Sequence, residues 1–519
     1  MARIRPSSLL QGARGTVLLL ALLVPLAEPA GGQAAAEEVR ALSPAGSGRG
    51  ATPPAPPAGL GEGSGLQPAA LEGLLEPLRR RHGLPALAAA VVVRGETVAA
   101  GAVGMRRIDA PIAVTLQDRF HIGSNTKAMN ALLAAMAVER GQLRWDSNLA
   151  EVFPELRATM APGVGAVTLR QLLSHSSGIG DASMASAALE SLQQSGNLDA
   201  QRLVVVRRAV AQPLLSPPGS RYRYGNNNYV LAGAMLERVQ GRTWEELIQE
   251  QLFAPLGLRS AGLGPQSRPG LTDAPLGHRE HEGRLLPLLA GPNADNLAVL
   301  GPAGVAHLSV LDFARWAGWN AGQGRRGPAL VSAQTMRRLH APVIATDPAD
   351  PEGERYALGW GVGRPAWAAA PLLTHQGSNT MNLAQIWVDP DRDLALVLAT
   401  NTGGPRAQAA LQELSPVLHA LAASWPRLRR VSVAPGVGLE VRDWSALTPA
   451  DRRDQPPLVL LAGLGNTAAL FDDLAPRLRR LLRPQLRLRR ADPDGGSAAR
   501  PRRARPGAGG AGGALDRRG

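Results

Sequence analysis

Residues 120–130 read FHIGSNTKAMN. Gly123 ends a loop, and SNTKAMNALLAAMAVERG (124–141) carries a helical apolar pattern that Gly141 stops. This spacing predicts a helix with Ser124 in its first turn and Lys127 three residues on, on the same face one turn along. Lys127 is the only lysine among 56 Lys+Arg residues; the other 55 are arginine. A serine hydroxyl is a weak nucleophile until a neighbour takes its proton. A lysine buried among polar groups can fall toward neutrality and take it, whereas arginine, with a pKa above about 12, stays protonated. The helix N-terminal amides at Ser124 would face negative charge developing nearby. Taken alone, the pair also describes an N-cap serine with a solvated lysine; keeping a lysine in so arginine-rich a chain favours the chemical reading.

Two further stretches carry groups that could serve such a serine. RYRYGNNNYVLAGAML (221–236) holds three of the four tyrosines, follows the Pro217-Pro218-Gly219 turn and precedes an apolar helix. Tyr224 and Asn226 therefore lie at a loop-to-helix junction, where a phenol can relay a proton and an amide can bond a substrate carbonyl or the lysine. The plainer alternative makes Tyr222, Tyr224 and Tyr229 packing aromatics and the asparagines turn formers. THQGSN (374–379) precedes a strand pair, and Gly377 would let a substrate lie against a strand edge. His375 could orient a carboxylate or assist proton transfer, although a lone histidine is more often structural. His121, His175 and His307 form no recognisable ligand set and are expected to be structural.

Around these stretches the patterning alternates between strand and helix. LQPAALEGLLEPLRRRHG has helical spacing, and ALAAAVVVRGETVAAGAVG reads as a hairpin turning at Arg94-Gly95-Glu96. A long, mostly helical middle follows. NLAQIWVDPDRDLALVLATN (382–401) returns to strands about an Asp389-Pro390-Asp391 turn, and a helix at 406–423 closes the domain. The expected fold is α+β: a central antiparallel sheet built from both ends of the chain, flanked by helices, with a mostly helical subdomain inserted.

S-x-x-K, Y-x-N and H-x-G in this order resemble the serine β-lactamase and penicillin-binding peptidase superfamily, most of all its class C β-lactamase, DD-peptidase and esterase branch. GQLRWDSNLAEVFPE (141–155), LRQLLSHSSGIGD (169–181), GPAGVAHLSVLDFARWA (301–317), YALGWGV (356–362) and LALVLATN (394–401) resemble it as well. The resemblance covers roughly residues 70–423. It implies a β-lactamase/transpeptidase-like fold and an acyl-enzyme mechanism. Ser124 would be the nucleophile, Lys127 its base, Tyr224 the proton relay and Asn226 a substrate and lysine partner; His375, Gly377 and Ser378 would line the substrate edge. The backbone N–H groups of Ser124 and Ser378 would form the oxyanion hole. Class C β-lactamases usually carry K-T-G where this chain has His375-Gln376-Gly377, which points toward peptidase or esterase activity rather than efficient antibiotic hydrolysis. No metal or organic cofactor is implied. A non-catalytic penicillin-binding-like sensor is the alternative from a different class.

Composition bounds the remaining choices. Cysteine is absent, which excludes disulfides, thiolate metal sites and a cysteine nucleophile. The net charge of +14 is concentrated at the end: residues 476–519 hold 13 Arg and 3 Asp. The body is nearly neutral, so no nucleic-acid partner is expected. Residues 1–36 have the organisation of an export signal: Arg3, Arg5 and Arg14, then the apolar run TVLLLALLVPLA (16–27), then small residues up to Ala36. A periplasmic or secreted protein acting on a small-molecule or peptide substrate is expected, meeting a membrane only through an uncleaved signal. Residues 37–66 read as a Pro/Gly-rich linker and 67–425 as the hydrolase domain. Residues 426–480 contain QPPLVLLAGLGNTAALFDDLAPRL (455–478), which resembles the opening strand, loop and first helix of an α/β-hydrolase. The Arg-rich stretch 481–519 is expected to be disordered.

Overall fold

The computed structural model describes residues 68–193, 196–291 and 294–425 in full, and the backbone of 427–434 and 437–443. The expected signal at 1–36, linker at 37–66, hydrolase-like stretch at 455–478 and tail at 481–519 lie outside these residues. The chain divides into two units, Met1–Ala422 and Ala423–Gly519. In the second, Arg427–Ala434 and Val437–Asp443 pair antiparallel as a hairpin. The expectation for 426–480 did not include this hairpin, although Pro435-Gly436 between two runs that largely alternate polar and apolar residues carries the signal for one.

The first unit is organised on one ten-stranded sheet. Its main strands are β1 (Ala86–Val93), β2 (Glu96–Arg107), β3 (Gly361–Gly363), β4 (Leu372–Ser378), β5 (Leu383–Asp389) and β6 (Leu394–Thr400). They lie in the order β2-β1-β6-β5-β4-β3. The two ends of the domain meet where β1 pairs with β6, from Val93 opposite Leu394 to Leu87 opposite Thr400. All these pairings are antiparallel, as the sequence leads one to expect. The exception is the two-residue strand Ala69–Ala70, which lies parallel to β2 and makes the sheet mixed. The chain runs straight from it into the helix Glu72–Arg81, whose entry is fixed when Leu71 N donates to Ala100 O at 3.1 Å.

Local chemistry explains the turns. Arg94 (φ 54°) and Gly95 (φ 84°) are both left-handed, the geometry whose twist suits a two-residue hairpin. Between β5 and β6, Asp389 Oδ1 accepts from the amides of Asp391 and Arg392 at 3.2 and 3.0 Å, and Asp393 closes the turn at φ 56°. All eight residues of β1 are buried, because helices cover both faces of the sheet. Ala86, Ala88, Ala90 and Val92 join the main core with the helix α3 (Val310–Ala321). Gly318 of α3 lies so close that a Cβ there would be 2.8 Å from Val92 Cγ1. On the other face α4 (Gly404–Ser424) packs on β5, where Trp387 Nε1 donates to Ser415 Oγ at 3.1 Å.

The helical part is centred on α1 (Thr126–Glu139), whose residues from Thr126 to Ala137 are all buried. A helix enclosed on every side belongs inside a core, and α1 packs against α2 (Asn226–Gln240). A small sheet of Arg119–His121, Ala306–Ser309 and Gly262–Leu263 holds the approach to α1. Ile122 N donates to Ala306 O at 2.9 Å, and Ala306 N to Thr126 Oγ1 at 3.2 Å. None of the described helices is long and apolar enough to cross a membrane.

Candidate active site

Ser124 is half-buried in a single 3-10 turn, Gly123–Asn125, immediately before α1. Three side-chain bonds pin this turn. Asn125 Nδ2 donates to Ile122 O at 2.7 Å and to Ala384 O of β5 at 3.3 Å; Thr126 Oγ1 donates to Gly123 O at 2.7 Å. Lys127 is fully buried, and its Nζ lies 2.9 Å from Ser124 Oγ, 2.8 Å from Asn226 Oδ1 and 2.7 Å from Ala303 O. Burial pushes the amine down to about 7, and the charge of Asp181 opposes that shift. Near neutral pH a large share of the population therefore has a lone pair on Nζ within hydrogen-bond reach of the Ser124 hydroxyl.

Asn226 opens α2, and the Asp181 carboxylate caps that helix by accepting from Asn226 N at 2.7 Å and Asn227 N at 2.9 Å. The cap directs the Asn226 side chain at Lys127 while keeping a negative charge near the amine. Burial raises the carboxyl of Asp181, opposed by these two amides and by Lys127. Burial of the Tyr224 hydroxyl raises its phenol, opposed by the nearby Ser124. Its ring centre is 4.9 Å from Lys127 Nζ. With 38% of its surface exposed, Tyr224 stands at the mouth of the site and not in the core.

Behind Tyr224 lies His175, fully buried and left-handed at φ 56°. The rings of all four tyrosines, Tyr222, Tyr224, Tyr229 and Tyr356, lie 5.9, 4.4, 5.0 and 4.9 Å from its own. Its Nδ1 accepts from Gly225 N at 3.3 Å, next to Tyr224. Burial holds the imidazole well below its usual pKa.

On the facing strand β4, Gly377 lies against the Ser124 turn: a Cβ there would be 1.9 Å from Ile122 O and 2.5 Å from Ser124 N. β3 pairs only with Leu372–Thr374 of β4, so residues 375–378 run past it toward Ser124. His375 does not present a free nitrogen to this edge. It is buried, its Nε2 accepts from the Tyr356 hydroxyl at 3.0 Å, and its Nδ1 donates to Gln376 O at 2.9 Å. Burial, reinforced by the nearby Lys127, pushes it down to about 3. His375 shares the face of Gly377, two residues on, and that face turns inward.

The structure thus brings Ser124, Lys127, Tyr224, Asn226 and Gly377 around one point, extends the strand edge to Ser378, and sets His375 behind the wall. Asp181 and the Ala303 carbonyl belong to the same assembly without having been singled out from sequence, and His175, expected to be structural, packs behind it among the tyrosines. Asp181 acts across 45 residues through backbone amides and leaves no spacing signal.

Comparison with known proteins identifies the family. The Beta-lactamase family model matches residues 71–417. Penicillin-binding protein 4 of Amycolatopsis lactamdurans is 28% identical over 343 residues, 63% of this chain and 84% of that protein. The lovastatin esterase of Penicillium rubens is 29% identical over 207 residues, 37% of this chain and 49% of the esterase, so the match spans about half of that relative. The octameric penicillin-binding protein homologue from Pyrococcus abyssi superposes with a TM-score of 0.56 at 26% identity, covering 67% of this chain and 77% of that one. The chain belongs to the beta-lactamase family and is a beta-lactamase-related serine hydrolase.

Proposed function

We propose that the protein is an exported hydrolase that cleaves a peptide, amide or ester through an acyl-enzyme on Ser124. Ser124 Oγ attacks the substrate carbonyl carbon as its proton passes to neutral Lys127. The tetrahedral oxyanion is held by the backbone N–H groups of Ser124 and Ser378. The C–N or C–O bond then breaks, and the leaving group takes a proton through Tyr224, which recovers it from Lys127. Water attacks the acyl-enzyme by the same route in reverse, releasing the acid and restoring Ser124. The observation that carries this reading is the position of Lys127 Nζ, 2.9 Å from Ser124 Oγ with its pKa lowered to about 7.

A D-alanyl peptide or an ester is favoured over a β-lactam as the turnover substrate. His375-Gln376-Gly377 stands where K-T-G is usual in class C β-lactamases, and the buried, neutral His375 supplies no cation to that edge. The names of a penicillin-binding protein and an esterase among the relatives support the same choice. Export rests on the signal-like organisation of residues 1–36; recovery of a chain beginning after Ala36 outside the cytoplasm would test it.

Intact-protein mass spectrometry after treatment with a reactive β-lactam or a p-nitrophenyl ester tests the mechanism. Wild type should gain one acyl mass, whereas Ser124→Ala and Lys127→Arg should gain none. Labelling that persists in Ser124→Ala refutes the nucleophile. Benzylpenicillin turned over faster than the ester would overturn the substrate choice.

A further inference from the structure

A buried histidine–carboxylate pair lies directly behind Ser124 and takes no part in the proton transfers above. His121 is fully buried, and its Nε2 is 2.9 Å from Oδ1 of Asp295, whose side chain is 3% exposed. Gly123 N donates to His121 Nδ1 at 3.1 Å, so a neutral His121 carries its proton on Nε2, facing the carboxylate. The same Oδ1 accepts from Asn379 Nδ2 at 3.0 Å and from Asn296 N at 2.7 Å. With one oxygen shared three ways, His121 Nε2 and Asp295 Oδ2 are both left without a well-directed hydrogen bond. Burying such atoms costs free energy that a well-directed hydrogen bond would offset, and the 2.9 Å His121–Asp295 contact offsets it only in part.

The three segments tied together here are the ones that surround the reacting hydroxyl. Gly123 immediately precedes Ser124, and Asn379 immediately follows Ser378. Asn296, next to Asp295, donates from Nδ2 to Gly304 O at 2.9 Å. Gly304 lies against the serine turn, where a Cβ on it would be 3.3 Å from Gly123 C and 3.4 Å from Ser124 N. The carbonyl just before it, on Ala303, accepts from Lys127. Two consecutive residues of one loop therefore reach the turn before Ser124, the strand end after Ser378 and the segment carrying the lysine's backbone acceptor.

We propose that Asp295 is a positioning residue that sets the spacing of the Ser124 and Ser378 amides, through His121 on one side and Asn379 on the other. This rests on the acyl-enzyme reading of Ser124. Donors aimed at an oxyanion act mainly in the transition state, so loosening their spacing lowers kcat more than it raises KM. A role confined to folding would reduce the fraction of competent molecules and leave each of them unchanged.

The test uses the full-length protein and the nearly isosteric Asp295→Asn, with His121→Asn as a second variant and Ser124→Ala as control. Active sites are counted by the p-nitrophenol burst, kcat and KM are measured per counted site, and phenylboronic acid, which forms a tetrahedral serine adduct, is titrated. Asp295→Asn should lose about tenfold in kcat, part of the ~100-fold that removing an oxyanion donor costs. Its KM should stay within about twofold, and boronate affinity should fall in step with kcat/KM. The two variants combined should lose little more than either alone, because they break one strap. Wild-type kcat per counted site and wild-type boronate affinity in both variants would overturn the proposal. A burst and boronate binding that survive Ser124→Ala would instead overturn the nucleophile assignment on which the strap rests.

Discussion

Gly123 and Gly377 face each other at the serine turn with no room for a side chain on either. A Cβ on Gly123 would be 2.5 Å from Ser378 N, and one on Gly377 would be 2.5 Å from Ser124 N. The two glycines thus let the backbones of α1's entry and of β4 approach closely. Gly377→Ala should force Ile122 and Ser124 away from β4. We expect a loss of at least about 100-fold in kcat for ester hydrolysis and a stability loss of about 1–3 kcal/mol. Steady-state kinetics and denaturant unfolding would check both.

Only unprotonated Lys127 can accept the Ser124 proton, so activity should rise with pH through the lysine's value of about 7. His375, held down to about 3, adds no limb in that range. The charge of Asp181 raises the Lys127 pKa, and its removal in Asp181→Asn should move the acid limb of kcat/KM to lower pH. A limb that stays in place, or moves upward, would refute Lys127 as its source.

Tyr224→Phe keeps the ring beside His175 and Lys127 and removes only the hydroxyl. Loss of a positioned proton relay costs about 10²- to 10⁴-fold. We expect acylation to slow by that order with the melting temperature almost unchanged, as read by stopped-flow burst kinetics and calorimetry.

Far from the site, Arg202 is fully buried and pairs with both Glu237 and Glu245, donating also to Val299 O at 3.0 Å. Arg202→Leu would strand two carboxylates in the core. Removing one partner of a buried ion pair costs about 3–5 kcal/mol, and urea denaturation should show a loss of that size. Burial raises the Glu237 carboxyl to about 7 with Arg202 opposing, so without Arg202 it rises further and the deficit should grow as the pH rises above about 7.

Those parts of the molecule that depend on short-range periodicity could be read directly. The Arg94-Gly95 hairpin and the Asp389 turn are local and have their expected form; the Ser124–Lys127 spacing is local too, although the helix begins at Thr126 and Ser124 sits in the 3-10 turn before it. The assembly of strands from the two ends of the chain was also legible, because β1 and β6 are continuous apolar runs that only a covered sheet can hold. Contacts made through backbone groups were not. Asp181 caps α2 through amides, and Asp295 joins His121 and Asn379 across 174 and 84 residues, distances at which no pattern survives. His375 required the strand's alternation as well as its motif, and its ring lies 6.4 Å from that of Tyr224. A histidine in a short motif suggests a cleft, but strand alternation assigns it the face of Gly377, and that face is interior.

The pairing of β1 with β6 also bears on the order in which the site comes into being. Ser124, Lys127, Tyr224 and Asn226 all leave the ribosome before the strand that holds Gly377 and Ser378. Ser124 and Lys127 therefore precede that strand by about 250 residues in the growing chain. β6 must also arrive to join the late strands to β1. On the proposed acyl-enzyme mechanism, the site around Ser124 is therefore complete only when the sheet closes.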